Sequence, residues 1–139
     1  MIETSSAKKS LLIVDDNQLY LDLICEELAG AEYQVETAST GKEGLSKIID
    51  RKPDFVFLDL MLPDYNGVDL LRLLPAETGA KTKIVLLTAT TKEATQWKEA
   101  QAQLERLKIS RGDFAGVRLL PKPIELSGVR GILKAMAER

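Results

Sequence analysis

The chain has no histidine and a single cysteine, Cys25, among its 139 residues. Without an imidazole there is no histidine general base, metal ligand or nucleophile. One cysteine cannot close an internal disulfide, which suits a reducing, cytoplasmic setting. Cys25 lies in an apolar helical stretch with nothing cationic beside it, so it reads as core filler rather than a reactive thiol. Aromatics make up only 5% of the residues. No apolar run approaches the ~18 residues that a membrane span needs. The opening MIETSSAKKS lacks the apolar stretch of a signal peptide. A net charge of −2 provides no broad cationic field, so direct nucleic-acid binding is not expected.

What is present is ordinary in bulk: 45% hydrophobic and 29% charged residues, as in a soluble globular domain. A chain of this length fits one domain and can bury roughly 68–70% of the surface that it exposes when unfolded. Residues 1–10 are polar and read as a flexible leader, with one domain over 11–139.

Apolar runs of strand length occur at Leu11–Val14, Phe55–Leu58, Lys83–Thr88 and Val117–Leu120, and a weaker one at Tyr33–Ala38. Between them, helical spacing predicts helices over Gln18–Ala29, with Leu21, Ile24, Cys25 and Leu28 inward, and over Thr40–Ile49, with Leu45, Ile48 and Ile49 inward. Further helices are expected from Val68 to Leu74, ended by Pro75 and Gly79, from Thr91 to about Ile109, and from Ile124 to the C-terminus. Ala94, Trp97, Leu104 and Leu107 share one side of the fourth, where Trp97 reads as packing rather than as a partner anchor. Strands alternating with helices in this way specify an α/β fold: a doubly wound, five-stranded parallel sheet with helices on both faces.

The strand ends carry the chemistry. Asp15 and Asp16 follow the first strand, Asp59 the third, Thr88 closes the fourth and Lys122 follows the fifth. Ligands of open parallel sheets bind outside the carboxyl ends of the strands, so these five side chains are expected to meet. Carboxylates crowded to about 4 Å repel by roughly 4 kcal/mol per pair at an effective dielectric near 20. They therefore favour a divalent cation. A hard, oxygen-only donor set with room for water suits Mg2+, and Mn2+ by the same logic. A carboxylate can also act as nucleophile toward a phosphoryl group, with the metal and Lys122 taking up charge and Thr88 donating a hydrogen bond. No acid or base is needed, and the lack of histidine is no handicap.

In order and position these residues resemble the receiver domains of two-component response regulators, flavodoxin-like in fold and close to the single-domain chemotaxis type. The resemblance runs from Leu11 to about Met136. It rests on Asp15-Asp16, Asp59, Thr88-Ala89 and Lys122-Pro123, and on the spacing of Asp59, Pro63 and Gly67 in DLMLPDYNG. It implies that Asp59 accepts the phosphoryl group and ligates Mg2+. Asp16 would bind the metal directly, Asp15 largely through water, and the Met61 backbone carbonyl would complete the protein ligands. Thr88 and Lys122 would contact the phosphoryl oxygens. Met61 and Thr90 occupy the positions that tune dephosphorylation in the family. The expected donor is a sensor histidine kinase or a histidine phosphotransfer protein. Output would be protein–protein, through the face of fourth helix, fifth strand and fifth helix, in a monomer or a homodimer.

Two departures stand out. About a dozen extra residues lie between Thr88 and Lys122, which predicts a lengthened fourth helix and following loop, with a turn at Arg111-Gly112-Asp113 and a specialised partner contact. Leu119 stands where receivers commonly have Tyr or Phe, which leaves open an interaction module that works without phosphorylation. An excised N-terminal receiver of a longer regulator is a further alternative. An aspartyl-phosphate hydrolase fits less well, since it would carry an acidic residue at the position of Met61.

Overall fold

The five predicted strands form one parallel sheet, in which the first strand lies between the second and the third, and the fourth and fifth follow in turn. The computed structural model describes residues 8–30, 32–89, 93–122 and 125–138. In chain order the elements are β1 Lys9–Val14, α1 Gln18–Glu27, β2 Tyr33–Ala38, α2 Gly41–Arg51, β3 Phe55–Asp59, α3 Gly67–Leu73, α4 Thr78–Lys81, β4 Lys83–Thr88, α5 Thr95–Ser110, β5 Arg118–Pro121 and α6 Val129–Ala137. Short 3-10 turns lie at Gly112–Phe114 and Leu126–Gly128. The chain steps outward from β1 to β2, then returns past β1 to β3. That reversal puts the carboxyl ends of β1 and β3 side by side, with Val14 in register with Leu58, and opens a crevice there.

Side-chain alternation splits the core into two layers. Leu12, Val14, Val56, Leu58, Ile84, Leu86 and Leu119 face α2, α3 and α5. Leu11, Ile13, Phe55, Phe57, Val85 and Leu87 face α1 and α6. Strands covered on both faces must be apolar throughout, which is why β3 is buried along its whole length. β2 lies at the edge and is mostly half-buried, so its pattern in the sequence is weaker.

Local chemistry sets the helix ends. Asn17 caps α1 by accepting the Tyr20 N–H, and Thr40 caps α2 by accepting the Glu43 N–H. Glu43 reciprocates by accepting the Ser39 N–H at 3.0 Å. Gly30, at φ +76°, supplies the left-handed residue after α1.

Several boundaries differ from expectation. β1 starts at Lys9, so Lys9 and Ser10 leave the predicted leader. Lys9 pairs in register with Tyr33, and the Ser10 N–H and hydroxyl bond to Asp54. Residues 1–7, Thr90, Thr91, Pro123 and Ile124, all named in sequence expectations, lie outside the described residues. Ile49 is exposed rather than inward, because the buried stripe of α2 runs through Gly41, Gly44 and Ile48. Gly44 belongs to that stripe for want of a side chain: a Cβ there would come within 2.8 Å of Val14.

α3 ends at Leu73, before Pro75, and Gly79 lies inside the unpredicted α4 rather than ending α3. The strand predicted at Val117–Leu120 sits one residue later, at Arg118–Pro121. The last helix begins at Val129, after a 3-10 turn, rather than at Ile124. Leu21, Ile24 and Leu28 are buried as expected, while Cys25 is only half-buried. Burial, and next Asp22, push the Cys25 thiol above its ordinary value, as expected of an inert thiol.

Between Thr88 and Lys122 the described residues form α5, the turn after it and β5. Ala100, Leu104 and Leu107 are buried, and Trp97 packs half-buried on the same core. Beyond α5 the Arg111 guanidinium donates to both Asp113 carboxylate oxygens at 3.0 Å, and to the carbonyls of Leu74 and Pro75 at 2.9 and 2.8 Å. It also lies 4.5 Å from the Phe114 ring centroid. Asp113 in turn accepts the Gly79 N–H at 3.0 Å.

Candidate functional site

Each candidate side chain is delivered by the end of a strand or the loop after it. Asp15 leaves β1 with its N–H donating to the Ala38 carbonyl, and its Oδ1 accepts the Asn17 N–H at 2.9 Å. The first of the two aspartates is thereby buried and the second, Asp16, is turned to solvent. Asp59 ends β3 with 5% of its surface exposed, and its Oδ1 accepts the Met61 N–H at 3.2 Å.

The loop after it closes on itself. Leu62 N–H donates to the Tyr65 carbonyl, and Gly67 N–H to the Leu60 carbonyl at 2.7 Å. Asn66 then caps α3 by accepting the Val68 N–H. Gly67 suits a close approach: a Cβ there would lie 3.1 Å from both the Asp59 carbonyl oxygen and Leu60 Cα. Asp64 of the same loop accepts the N–H groups of Gly41 and Lys42 at 2.7 and 3.0 Å, tying the loop to the start of α2. Tyr65 of this loop is half-buried against the core.

Thr88 is buried at the end of β4, and its carbonyl accepts the Lys122 N–H at 2.6 Å. That bond carries Lys122 to the site, where its Nζ donates to Asp15 Oδ2 at 2.7 Å and Asp59 Oδ2 at 3.4 Å. Asp15, Asp16 and Asp59 each offer an oxygen, and the three atoms lie within 4.8 Å of one another. All five predicted strand-end residues therefore meet, together with Met61, around one cleft of about 580 Å³.

The electrostatics follow from burial. Desolvation pushes the Asp59 carboxyl above its usual range; Lys122 opposes this, Asp15 adds to it, and the Met61 N–H opposes it. Burial alone would lower the Lys122 ammonium, but the hydrogen bond to Asp15 and the charges of Asp59 and Asp15 outweigh it and hold the group above its ordinary value. The donor set fits a hard divalent cation: three carboxylates, an open side toward solvent at Asp16, and no cysteine in the cluster among the described residues. Reasoning from sequence missed the far wall of the cleft, where α5 presents Gln96, Glu99 and Gln103. Their spacing of three and four marks one helical face, but only the docking of α5 shows which way it points.

The response regulator receiver domain family matches residues 11–107. The DNA-binding response regulator MtrA of Mycolicibacterium smegmatis is 36% identical over 84 residues, covering 60% of this chain and 36% of that protein. The phosphate regulon transcriptional regulatory protein PhoB of Pseudomonas aeruginosa is 30% identical over 132 residues, 94% of this chain and 52% of that one. The chain thus spans about a third of the length of MtrA and about half that of PhoB. Among solved structures, a CheY-like response regulator receiver domain protein from Methanospirillum hungatei JF-1 superimposes with a TM-score of 0.69 at 25% identity, covering 94% of this chain and 95% of that one. The family match over most of the chain, the sheet order and the cluster of strand-end residues agree: the chain belongs to the response regulator receiver domain family of two-component systems.

Proposed function

We propose that Asp59 accepts a phosphoryl group in a Mg2+-dependent reaction, and that the chain is a phosphorylation switch signalling by protein–protein contact. The observation that carries this reading is the convergence of Asp15, Asp16 and Asp59 within 4.8 Å, with Lys122 reaching two of them. Asp16, Asp59 and the Met61 carbonyl would hold the metal, with Asp15 acting largely through water. The metal would supply charge neutralisation between carboxylate and phosphoryl group.

The chain's own residues do the rest. A carboxylate oxygen of Asp59 attacks phosphorus as the bond to the donor breaks; for a phosphohistidine donor the electron pair leaves on the imidazole nitrogen. Lys122 and the Thr88 hydroxyl bind the phosphoryl oxygens, and preorganised positive charge lowers the barrier. The phosphoryl donor would be a sensor histidine kinase or a histidine phosphotransfer protein in the cytoplasm. The added charge then shifts an equilibrium between two surface states.

Leu119 supports an output route without a switching aromatic. It is buried in register with Leu86, in the core layer that α5 covers. An output partner would accordingly read the face formed by α5, β5 and α6.

Intact mass after incubation with acetyl phosphate and Mg2+ tests the proposal. One added phosphoryl group, dependent on Mg2+ and absent from Asp59→Asn, is expected. An adduct that survives Asp59→Asn, or none in the wild type under conditions where beryllofluoride also fails to bind, would favour the phosphorylation-independent module.

A further inference from the structure

We propose that Tyr20 is a positioning residue for Lys122, holding its ammonium at the acceptor site through the face of the phenol ring; the inference rests on the reading of Asp59 as phosphoryl acceptor. Tyr20 sits in the first turn of α1, where its N–H donates to the Asn17 side chain at 3.1 Å. That cap fixes its backbone immediately after the Asp15-Asp16 pair. Its ring packs half-buried against the α1 and α6 core layer, with the Lys122 Nζ 5.4 Å from the ring centroid. An ammonium within about 6 Å of an aromatic centroid is attracted by the negative face of the ring.

The Lys122 ammonium therefore meets, among the described residues, the ring, Asp15 Oδ2 at 2.7 Å and Asp59 Oδ2 at 3.4 Å. The two carboxylates are the groups that the proposed function engages elsewhere. A divalent cation at the carboxylate cluster competes with the ammonium for the same oxygens and repels it, and Asp59 changes chemically when it gains a phosphoryl group. The ring is neutral and belongs to neither event. It is the contact that stays constant while the other two are being reassigned, so its contribution is largest in the metal-bound, phosphorylated site. In the metal-free protein two carboxylates already hold the lysine, and the ring adds little.

The test compares wild type with Tyr20→Phe, Tyr20→Leu and Tyr20→Met, the last as an unbranched replacement should leucine pack poorly. Three quantities are read: melting temperature without metal, Mg2+ affinity, and beryllofluoride affinity through the fluorescence of Trp97. Phosphorylation rate with acetyl phosphate accompanies them. Tyr20→Phe keeps the ring face and is expected to match the wild type. Tyr20→Leu and Tyr20→Met are expected to bind beryllofluoride and accept phosphoryl about three- to tenfold less well, with Mg2+ affinity unchanged or slightly tighter.

Wild-type beryllofluoride affinity in both ring-less variants overturns the proposal. So does a parallel loss of Mg2+ affinity, which would mean that the ring only supports the loop carrying Asp16. Failure of Tyr20→Phe to match the wild type overturns it as well, since the hydroxyl would then be the active part. If the wild type itself forms no adduct and binds no beryllofluoride, the reading of Asp59 falls, and this inference with it. A wild type that phosphorylates beside unaffected ring-less variants removes only the inference.

Discussion

At the scale of single residues, burial decides which of two adjacent aspartates does what. Asp15 and Asp16 are chemically identical, yet the first faces Lys122 from inside and the second faces solvent. Gly67 is a sharper case, because its neighbours are main-chain atoms that cannot rotate away. A methyl group 3.1 Å from the Asp59 carbonyl oxygen and from Leu60 Cα would push the end of β3 out of place. Gly67→Ala is expected to lose about 1–3 kcal/mol in denaturant titration, in the range of overpacked sites. Phosphorylation should slow with it, since the displaced backbone carries Asp59, the proposed acceptor. Wild-type stability in Gly67→Ala would show that the α3 end of the loop yields instead.

At the scale of elements, the region after α5 acts as a clasp. Arg111 joins the turn following α5 to the segment following α3, and Asp113 continues the link to α4. Asp113 has only 6% of its side chain exposed, so removing Arg111 strands a carboxylate away from water. Arg111→Ala is expected to cost about 1–3 kcal/mol, the range for leaving a part-buried partner without its hydrogen bonds. The Arg111 hydrogen bond, and to a lesser degree the Gly79 N–H, hold the Asp113 carboxyl below its ordinary range. A depressed carboxylate contributes stability above its unfolded value of about 3.9 and loses it as pH falls through the folded value. The stability gap between wild type and Asp113→Asn should therefore be full near neutrality and close only well below pH ~4. Chemical denaturation of both proteins across that range checks it, and a gap independent of pH would remove the charge from the account.

At the scale of the whole molecule, the sheet order decides the site. Only because β1 lies between β2 and β3 do residues 44 positions apart, Asp15 and Asp59, share an edge. A cation that bridges them joins β1 to β3 in the folded state alone, so binding is folding free energy. Mg2+ is expected to raise the melting temperature of the wild type, through about 2.7 kcal/mol of added stability at a hundredfold excess over its dissociation constant. Asp16→Asn and Asp59→Asn should shift much less, and Ca2+ added in place of Mg2+ distinguishes a snug octahedral site from general charge screening. Equal shifts in all three proteins would place the ion elsewhere.

The sequence by itself determined the sheet, its parallel sense and the five residues that meet at the carboxyl edge of its strands, because period, strand length and polarity change are local properties of the chain. It also determined most of the inward faces of α1 and α5, except that Cys25 is only half-buried and Ala94 lies just before α5 as its extended cap. It left undetermined whatever depends on which surface meets which. Ile49 has the right spacing to be inward, but the stripe of α2 passes through two glycines. α4 has four residues and no periodicity to reveal it. Arg111 and Asp113 looked like turn residues until docking set them against the carbonyls of Leu74 and Pro75 and the N–H of Gly79. Tyr20 under Lys122, and the Gln96, Glu99 and Gln103 wall, belong to the same class. Periodicity says that a helix has an inner face, but only tertiary packing, which sets its rotation and height against the sheet, decides what that face and its margins touch.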